Sequence, residues 1–558
     1  MLPDTPVGCA AYLVTAMTEQ AQANLQNLYR IFTIPEAPSS TLGKVDQDIT
    51  HDLAGFLQKH VVASGATLEE IEKDFSNFNV PEQPTFVSDY ASFLKDTLVA
   101  QSVHTASPGF IGHMTSAMPY FMLPLARILI ALNQNTVKVE TSKAFTPLER
   151  QVLAILHRLI YGFDDSFYAR FIHDSRSALG VFCSGGTIAN ITALWLARNK
   201  MCAPDGDFGG IANEGIFKAL KHLNCEGLAV LVSRRAHYSI AKAVDVLGLG
   251  RDNLILVDTD DNNRVDMRSL RNACARVESE NKKVLALVGI AGTTETGTVD
   301  PLEEMADLAR DIGCHFHVDA AWGGPTLFSD TNRWRMRGIE RADSVTIDAH
   351  KQLYVPMGVG MVLFKDPQAV SAIEHHAAYI LRPGSKDLGT HTLEGSRPGK
   401  AMLVHAGLHI IGRRGYELLI DQGIERAQNF ADMISAHPDF ELITAPELNI
   451  LTYRYNPAWL QRKMAGAKAA VVEEINRKLD DVVVAVQKAQ RAAGKTFVSR
   501  TSLAPARYKG QMITVFRVVL ANPLTTDAIL ESVLEEQQEH VSHLGALIAP
   551  LRELAAQI

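Results

Sequence analysis

The pattern of apolar and polar positions changes character along the chain. Residues 1 to about 100 carry helical spacing: Tyr12–Tyr29 and Asp46–Ala63 are amphipathic, and a turn-rich linker, Ile34–Gly43, separates them. From about Ser107, short β-branched or apolar runs alternate with helical stretches, the signature of a parallel sheet with crossover helices. The predicted strands are Gly180–Cys183, Leu228–Ser233, Asn253–Val257, Val284–Gly289, His315–Val318, Ser344–Ile347 and Gly360–Phe364. Helices are predicted between them, among others over Ile188–Arg198, Ser239–Leu247 and Leu302–Ile312. A segment rich in Gly and Pro, Leu381–Lys400, follows, and loops of that length are usually functional lids or connectors. A long helical pattern over Ala401–Ile434 then leads to strands within Glu441–Tyr455 and Gln511–Leu520 around the helix Lys468–Ala493. The expected fold class is α/β, with a large, mainly parallel sheet domain and a smaller C-terminal α+β domain.

Composition narrows the function classes. Of 558 residues, 47% are hydrophobic and 21% charged, which suits a globular chain with a sizeable core. The net charge of −8 is spread along the chain, so nucleic acid is not an expected partner. Six cysteines without a CxxC pair point to a reducing cytoplasm rather than a disulfide framework. The longest apolar run, Ala117–Leu132, is broken by Pro119, Pro124 and Arg127; it is too short for a membrane helix and reads as a buried core helix.

The candidate chemistry collects at predicted strand ends, where open α/β sheets bind ligands. Ser344-Val-Thr-Ile-Asp-Ala-His-Lys351 delivers a lysine there; partly desolvated, it can lose its proton and attack a carbonyl. Taken alone, a strand-end lysine is more often simply a surface residue. In Cys314-His-Phe-His-Val-Asp-Ala-Ala321 an aspartate ends a strand, followed by small residues that let a flat ring approach. Such a carboxylate either caps the next turn or holds a ring nitrogen protonated. His315 and His317 share one face of that strand, but with no further ligand cluster no metal is expected. Ser184-Gly-Gly-Thr187 runs into a helix and offers free N–H groups to an anion, and His237 ends another strand where an imidazole could stack on a ring. Together these features describe a pocket for pyridoxal 5′-phosphate.

Seven segments, in order, carry a resemblance to a known family: Ser107-Pro-Gly-Phe-Ile-Gly-His113, Gly185-Gly-Thr187, His237, His317-Val-Asp-Ala-Ala321, Asp348-Ala-His-Lys351, Gly395-Ser-Arg397 and Phe516-Arg-Val-Val-Leu-Ala-Asn-Pro523. The chain resembles the group II pyridoxal-phosphate-dependent amino acid decarboxylases, of the aspartate aminotransferase-like fold type I, from about residue 105 to 535. The resemblance implies an N-terminal helical segment (1–105) at a dimer interface, a large cofactor-binding domain (106–400) with a mobile loop (381–400), and a small domain (401–558). It implies a homodimer with shared active sites.

Residue by residue, the resemblance implies that Lys351 carries the cofactor, Asp319 pairs with the pyridine nitrogen and His237 stacks on the ring. It places Gly185, Gly186, Thr187 and Ser396 at the cofactor, with Thr294, Ala321, Asp348 and His350 nearby. Arg517 matches the arginine that binds a substrate carboxylate in glutamate-type enzymes, and Asn135 and His113 fall at further pocket positions. Glutamate-type enzymes usually have glutamine where this chain has His113. The mobile loop lacks the tyrosine found in animal relatives, which leaves Tyr379 and His391 as candidate proton donors. Asp348-Ala-His-Lys-Gln-Leu-Tyr-Val-Pro-Met-Gly358 and the Gly395–Gly399 loop are most similar to the bacterial pyridoxal-dependent aspartate 1-decarboxylases, which make β-alanine for pantothenate. The implied activity is loss of the α-carboxylate from an acidic L-amino acid, aspartate first. Glutamate or cysteine sulfinate are alternatives, and an aromatic decarboxylase or a deaminating oxidase stands further off.

Overall fold

Runs of apolar, often β-branched residues form the strands β1 (Gly180–Cys183), β2 (Gly227–Ser233), β3 (Leu254–Val257), β4 (Lys282–Ile290), β5 (His315–Asp319), β6 (Ser344–Asp348) and β7 (Gly360–Phe364) in a computed structural model. That model describes residues 38–51, 66–377 and 384–558. The strands make one seven-stranded sheet in the order β1-β7-β6-β5-β4-β2-β3. β7 runs antiparallel to both neighbours, and all other pairs are parallel. β2, β5 and β6 are buried at every position because helices cover both faces of the sheet. Alternation assigns the faces. Leu228, Val230 and Val232 join the core beside the helices Gly186–Met201 and Ser239–Val246, while Ala229 and Leu231 join the core on the other side, where the helix Met267–Ser279 lies against β2 through Leu270, Cys274 and Val277.

The second sheet is antiparallel, β10-β11-β9-β8, from β8 (Phe440–Thr444), β9 (Ile450–Tyr455), β10 (Ser499–Leu503) and β11 (Ile513–Val519). The helix Ala469–Ala493 lies against it through Ile475, Leu479, Val482, Val483 and Val486, the apolar stripe of a helical period. Contacts divide the chain into two compact units, residues 1–104 with 492–495, and residues 105–491 with 496–558. In the first unit the short helix Leu68–Glu72 starts at a capping box, with Thr67 Oγ1 accepting from the Glu70 N–H and the Glu70 carboxylate accepting from the Thr67 N–H.

Several expectations need correction. Tyr12–Tyr29 lies outside the described residues, and the linker expected to reach Gly43 gives way to a helix already at Thr41. The helical pattern Ala401–Ile434 is two helices, Ala401–Ile410 and Gly412–Ala436, since Gly412 takes a φ of +70° that ends the first. β10 escaped notice because it is an edge strand of mostly polar residues, paired on one side only. The run read as a buried core helix begins its helix at Met122, and only Met122 and Leu129 are buried. Ile128, Ile130 and Leu132, on different sides of the helix, stand in solvent, with Ile130 74% exposed.

Burial also sets an acid limit on stability. The imidazoles of His157, His315, His317 and His391 are each pushed down to about 4, first by burial. A ring whose folded pKa lies below its unfolded value of 6.5 adds stability above that pH, and the gain is lost as pH falls toward 4. Asp300, pushed up to about 7 by burial, works in the opposite sense and loses its contribution as pH rises through 7. Thermal unfolding followed across pH is therefore expected to show Tm falling between pH 6.5 and 4, with net proton uptake on unfolding; a flat Tm over that window contradicts it.

Candidate active site

The C-terminal ends of β1, β2, β4, β5 and β6 open on one cleft of about 440 Å³. β6 ends in Asp348, and the tight turn after it delivers Lys351, whose backbone N–H reaches the Asp348 carbonyl at 3.3 Å. The Lys351 Nζ lies 3.2 Å from Asp348 Oδ2, and His350 Nε2 lies 3.7 Å from the same oxygen. His350 Nδ1 faces the Val359 carbonyl at 2.7 Å, so it carries the proton and donates. The segment is clamped further on: Tyr354 sits at a φ of +56°, held by its hydroxyl donating to the Ala521 carbonyl.

β1 runs directly into the helix Gly186–Met201, whose start has no side-chain cap. Its first N–H groups and the positive helix end face the cleft beside Gly185 and Thr187, a ready anion cradle. Gly186 must be glycine, since a Cβ there would lie 2.8 Å from Asp348 Oδ2. Gly186→Ala is expected to weaken binding of pyridoxal 5′-phosphate about tenfold or more, read by titrating cofactor absorbance into the protein. Unchanged affinity would remove this helix start from the phosphate site.

β5 presents Asp319, buried, with Oδ2 accepting from Asn190 Nδ2 at 2.8 Å and Oδ1 from the Ala321 N–H at 3.1 Å. His237, after β2, has its Nδ1 facing the Ser239 N–H at 3.3 Å. Burial first, and then the Lys351 charge, lower its pKa against the pull of Asp319, so the ring is neutral at pH 7. Thr294 and Ala321 also line the cleft. These groups fit pyridoxal phosphate: an amine, a buried carboxylate, an uncapped helix start, and a buried Asp348 Oδ1 with no hydrogen-bond partner.

Arg517 is not among the residues lining this cleft but bonds to one that is, Thr294. Its guanidinium donates from Nε to the Thr294 carbonyl at 2.6 Å and from Nη1 to the Gly112 carbonyl at 3.2 Å. Nη2 is buried with no partner, and among the described residues no carboxylate lies within ion-pair distance of it. Burial lowers the arginine to about 10, still cationic at pH 7. His113 lines the cleft, its pKa lowered first by burial and then by the charges of Arg517 and Lys351.

The remaining candidates are placed elsewhere. Asn135 and Ser396 bond each other at 2.9 Å and are not among the residues lining the cleft; Asn135 Oδ1 accepts from the Val137 and Arg397 N–H groups. His391 is buried in a separate small cavity with Glu149 and Arg150. Tyr379 lies outside the described residues. Asn190, Tyr238 and Trp322 line the cleft and were not singled out from the sequence. Asn190 had a signal: four residues after Gly186, it shares that residue's helix face.

The conserved domain of pyridoxal-dependent decarboxylases matches residues 70–456. The chain is 58% identical over 538 residues to the aspartate 1-decarboxylase of Aliivibrio fischeri, covering 96% of this chain and 98% of the relative. It is 28% identical to the cysteine sulfinic acid decarboxylase of Mus musculus, over 79% of this chain and 83% of that one. The crystal structure of mouse CSAD in apo form superposes with a TM-score of 0.77 at 25% identity, covering 90% of this chain and 98% of that chain.

Proposed function

The chain belongs to the pyridoxal-dependent decarboxylase family, and from that premise we propose that this amino acid decarboxylase acts on L-aspartate, releasing CO₂ and β-alanine. Its cofactor is pyridoxal 5′-phosphate. When bound, the cofactor supplies a sink for the electron pair that CO₂ leaves behind. Within that reading Lys351 holds the cofactor, and the uncapped helix start at Gly186 and Thr187 takes its phosphate. Asp319 keeps the ring nitrogen protonated, so it stabilises the charge that develops as the bond breaks. The neutral His237 packs against the ring without adding charge. Tyr379 is the candidate for returning a proton to Cα; His391, enclosed beside Arg150, is poorly placed for that task.

The observation that carries the substrate class is Arg517, a buried cation with Nη2 unpartnered. Two of its nitrogens donate to carbonyls and the Glu295 carboxylate adds some attraction, but the bare Nη2 leaves the buried charge incompletely satisfied, and the side-chain carboxylate of an acidic amino acid would complete it. The 58% identical aspartate 1-decarboxylase supports the shorter acid. A product assay on the cofactor-loaded protein, offering aspartate, glutamate, cysteine sulfinate and tyrosine and following both CO₂ and amine, tests this. β-Alanine is the expected dominant product; preference for tyrosine would overturn the acidic reading.

The protein acts, in this reading, in the cytoplasm as a source of β-alanine for pantothenate. It works as a homodimer with shared active sites, in which a second copy covers the exposed Ile128, Ile130 and Leu132 around the helix Met122–Leu132. Asn135 follows that helix by three residues, so the Asn135–Ser396 pair would meet the partner there.

A further inference from the structure

Asp319 ends a continuous buried chain of polar side chains, whose neighbouring link, Asn190, also lines the cleft. Alternation along β5 puts His315, His317 and Asp319 in a row on one face. Ser344 stands opposite His317 in the register of β5 with β6. Asn190 reaches the row from the helix Gly186–Met201. The links are His315 Nε2 to Ser344 Oγ at 2.7 Å, Ser344 Oγ to His317 Nδ1 at 2.8 Å, His317 Nε2 to Asn190 Oδ1 at 3.0 Å, and Asn190 Nδ2 to Asp319 Oδ2 at 2.8 Å. All five side chains are buried, His317 and Ser344 completely.

Elementary hydrogen-bond chemistry gives this chain one direction. Asn190 spends its amide hydrogens on Asp319 Oδ2 and on Ser239 Oγ, at 2.8 and 2.9 Å; the flipped amide would set oxygen against carboxylate. Its Oδ1 can only accept, so His317 Nε2 must carry a proton. Burial holds the His317 ring neutral, pushed down to about 4, which leaves Nδ1 a lone pair that takes the Ser344 hydroxyl hydrogen. Ser344 Oγ, having donated, must accept, so His315 Nε2 carries a proton as well. Every link donates toward Asp319.

We propose that His317, together with Ser344, His315 and Asn190, is a positioning relay that fixes the Asp319 carboxylate and, through it, the protonation of the cofactor's ring nitrogen. The two histidines that look in sequence like half of a metal site are committed instead to one serine hydroxyl and one amide. Aligned dipoles reinforce one another in a low-dielectric interior, so a break at any link weakens the last one. A fixed carboxylate matters most as charge develops on the ring, so the relay acts on kcat rather than on substrate binding. This inference rests on the reading that Asp319 faces the ring nitrogen.

The test reconstitutes variants with pyridoxal 5′-phosphate isotopically labelled at its ring nitrogen and reads that nucleus by NMR, beside steady-state kinetics. His317→Leu and Ser344→Ala are expected to move the resonance toward the unprotonated ring and to lower kcat about ten- to a hundredfold with little change in KM. His317→Gln, whose amide N–H can replace Nε2–H toward Asn190, is expected to restore most of both. Should His317→Leu fail to fold, Ser344→Ala, which deletes a hydroxyl only, decides alone. If Asp319→Asn moves the resonance while folded His317→Leu or Ser344→Ala leaves resonance and kcat at the parent values, the relay is wrong and the Asp319 reading stands. If Asp319→Asn itself leaves the resonance unmoved, that reading fails and the relay falls with it.

Discussion

Lys351→Ala is expected to lower decarboxylation by more than about a thousandfold, the loss typical of removing both a nucleophile and an acid–base group. The amine sits in a largely buried position, its Nζ 3.2 Å from Asp348 Oδ2, in a cleft also lined by the small residues Ala321, Gly185 and Gly186. In the proposed reading, the variant would keep the groups that hold the cofactor's phosphate and ring and lose only the amine that anchors it. Borohydride reduction followed by mass spectrometry should mark Lys351 in the parent protein and leave the variant unlabelled. A variant with near-parent turnover would end this mechanism.

Arg517→Met is expected to cut kcat/KM for aspartate about ten- to a hundredfold or more, the worth of a charge-assisted hydrogen bond of about 1.5 to 3 kcal/mol. Cofactor absorbance should persist, because Arg517 touches the Thr294 and Gly112 carbonyls and does not line the cradle. Those carbonyls lose a donor too, so the melting temperature should be measured alongside. Arg517→Lys keeps the charge but loses the fork and should recover part of the activity. An unchanged preference among aspartate, glutamate and tyrosine in Arg517→Met would remove this residue from the substrate site.

Most of the large sheet was legible because a strand covered by helices on both faces has to be apolar throughout, and this holds even for the antiparallel β1 and β7, which match the predicted bounds residue for residue. Elements whose stability comes from distant partners were harder. β10 is mostly polar and exists because β11 lends it a ladder, while the Ile411–Gly412 break leaves the apolar pattern on either side undisturbed. Helix Met122–Leu132 misled in the other direction: it is as apolar as a core helix, yet Ile128, Ile130 and Leu132 are bare in the single chain.

The sequence by itself determined which residues would gather at one cleft, since a strand's end and the small residues after it are local properties: Lys351, Asp319, His237 and the Gly185–Gly186 turn all line it. It also supplied the period-two row of His315, His317 and Asp319. Only the tertiary structure decided what that row is for. Asn190 is far from Asp319 in sequence, and Ser344 lies on another strand, so the hydrogen bonds joining them arise from strand order and helix packing. The same holds for the bare Nη2 of Arg517 and for the mutual pairing of Asn135 and Ser396: whether a polar group has a partner depends on what the fold brings within about 3 Å of it, and no local pattern records that.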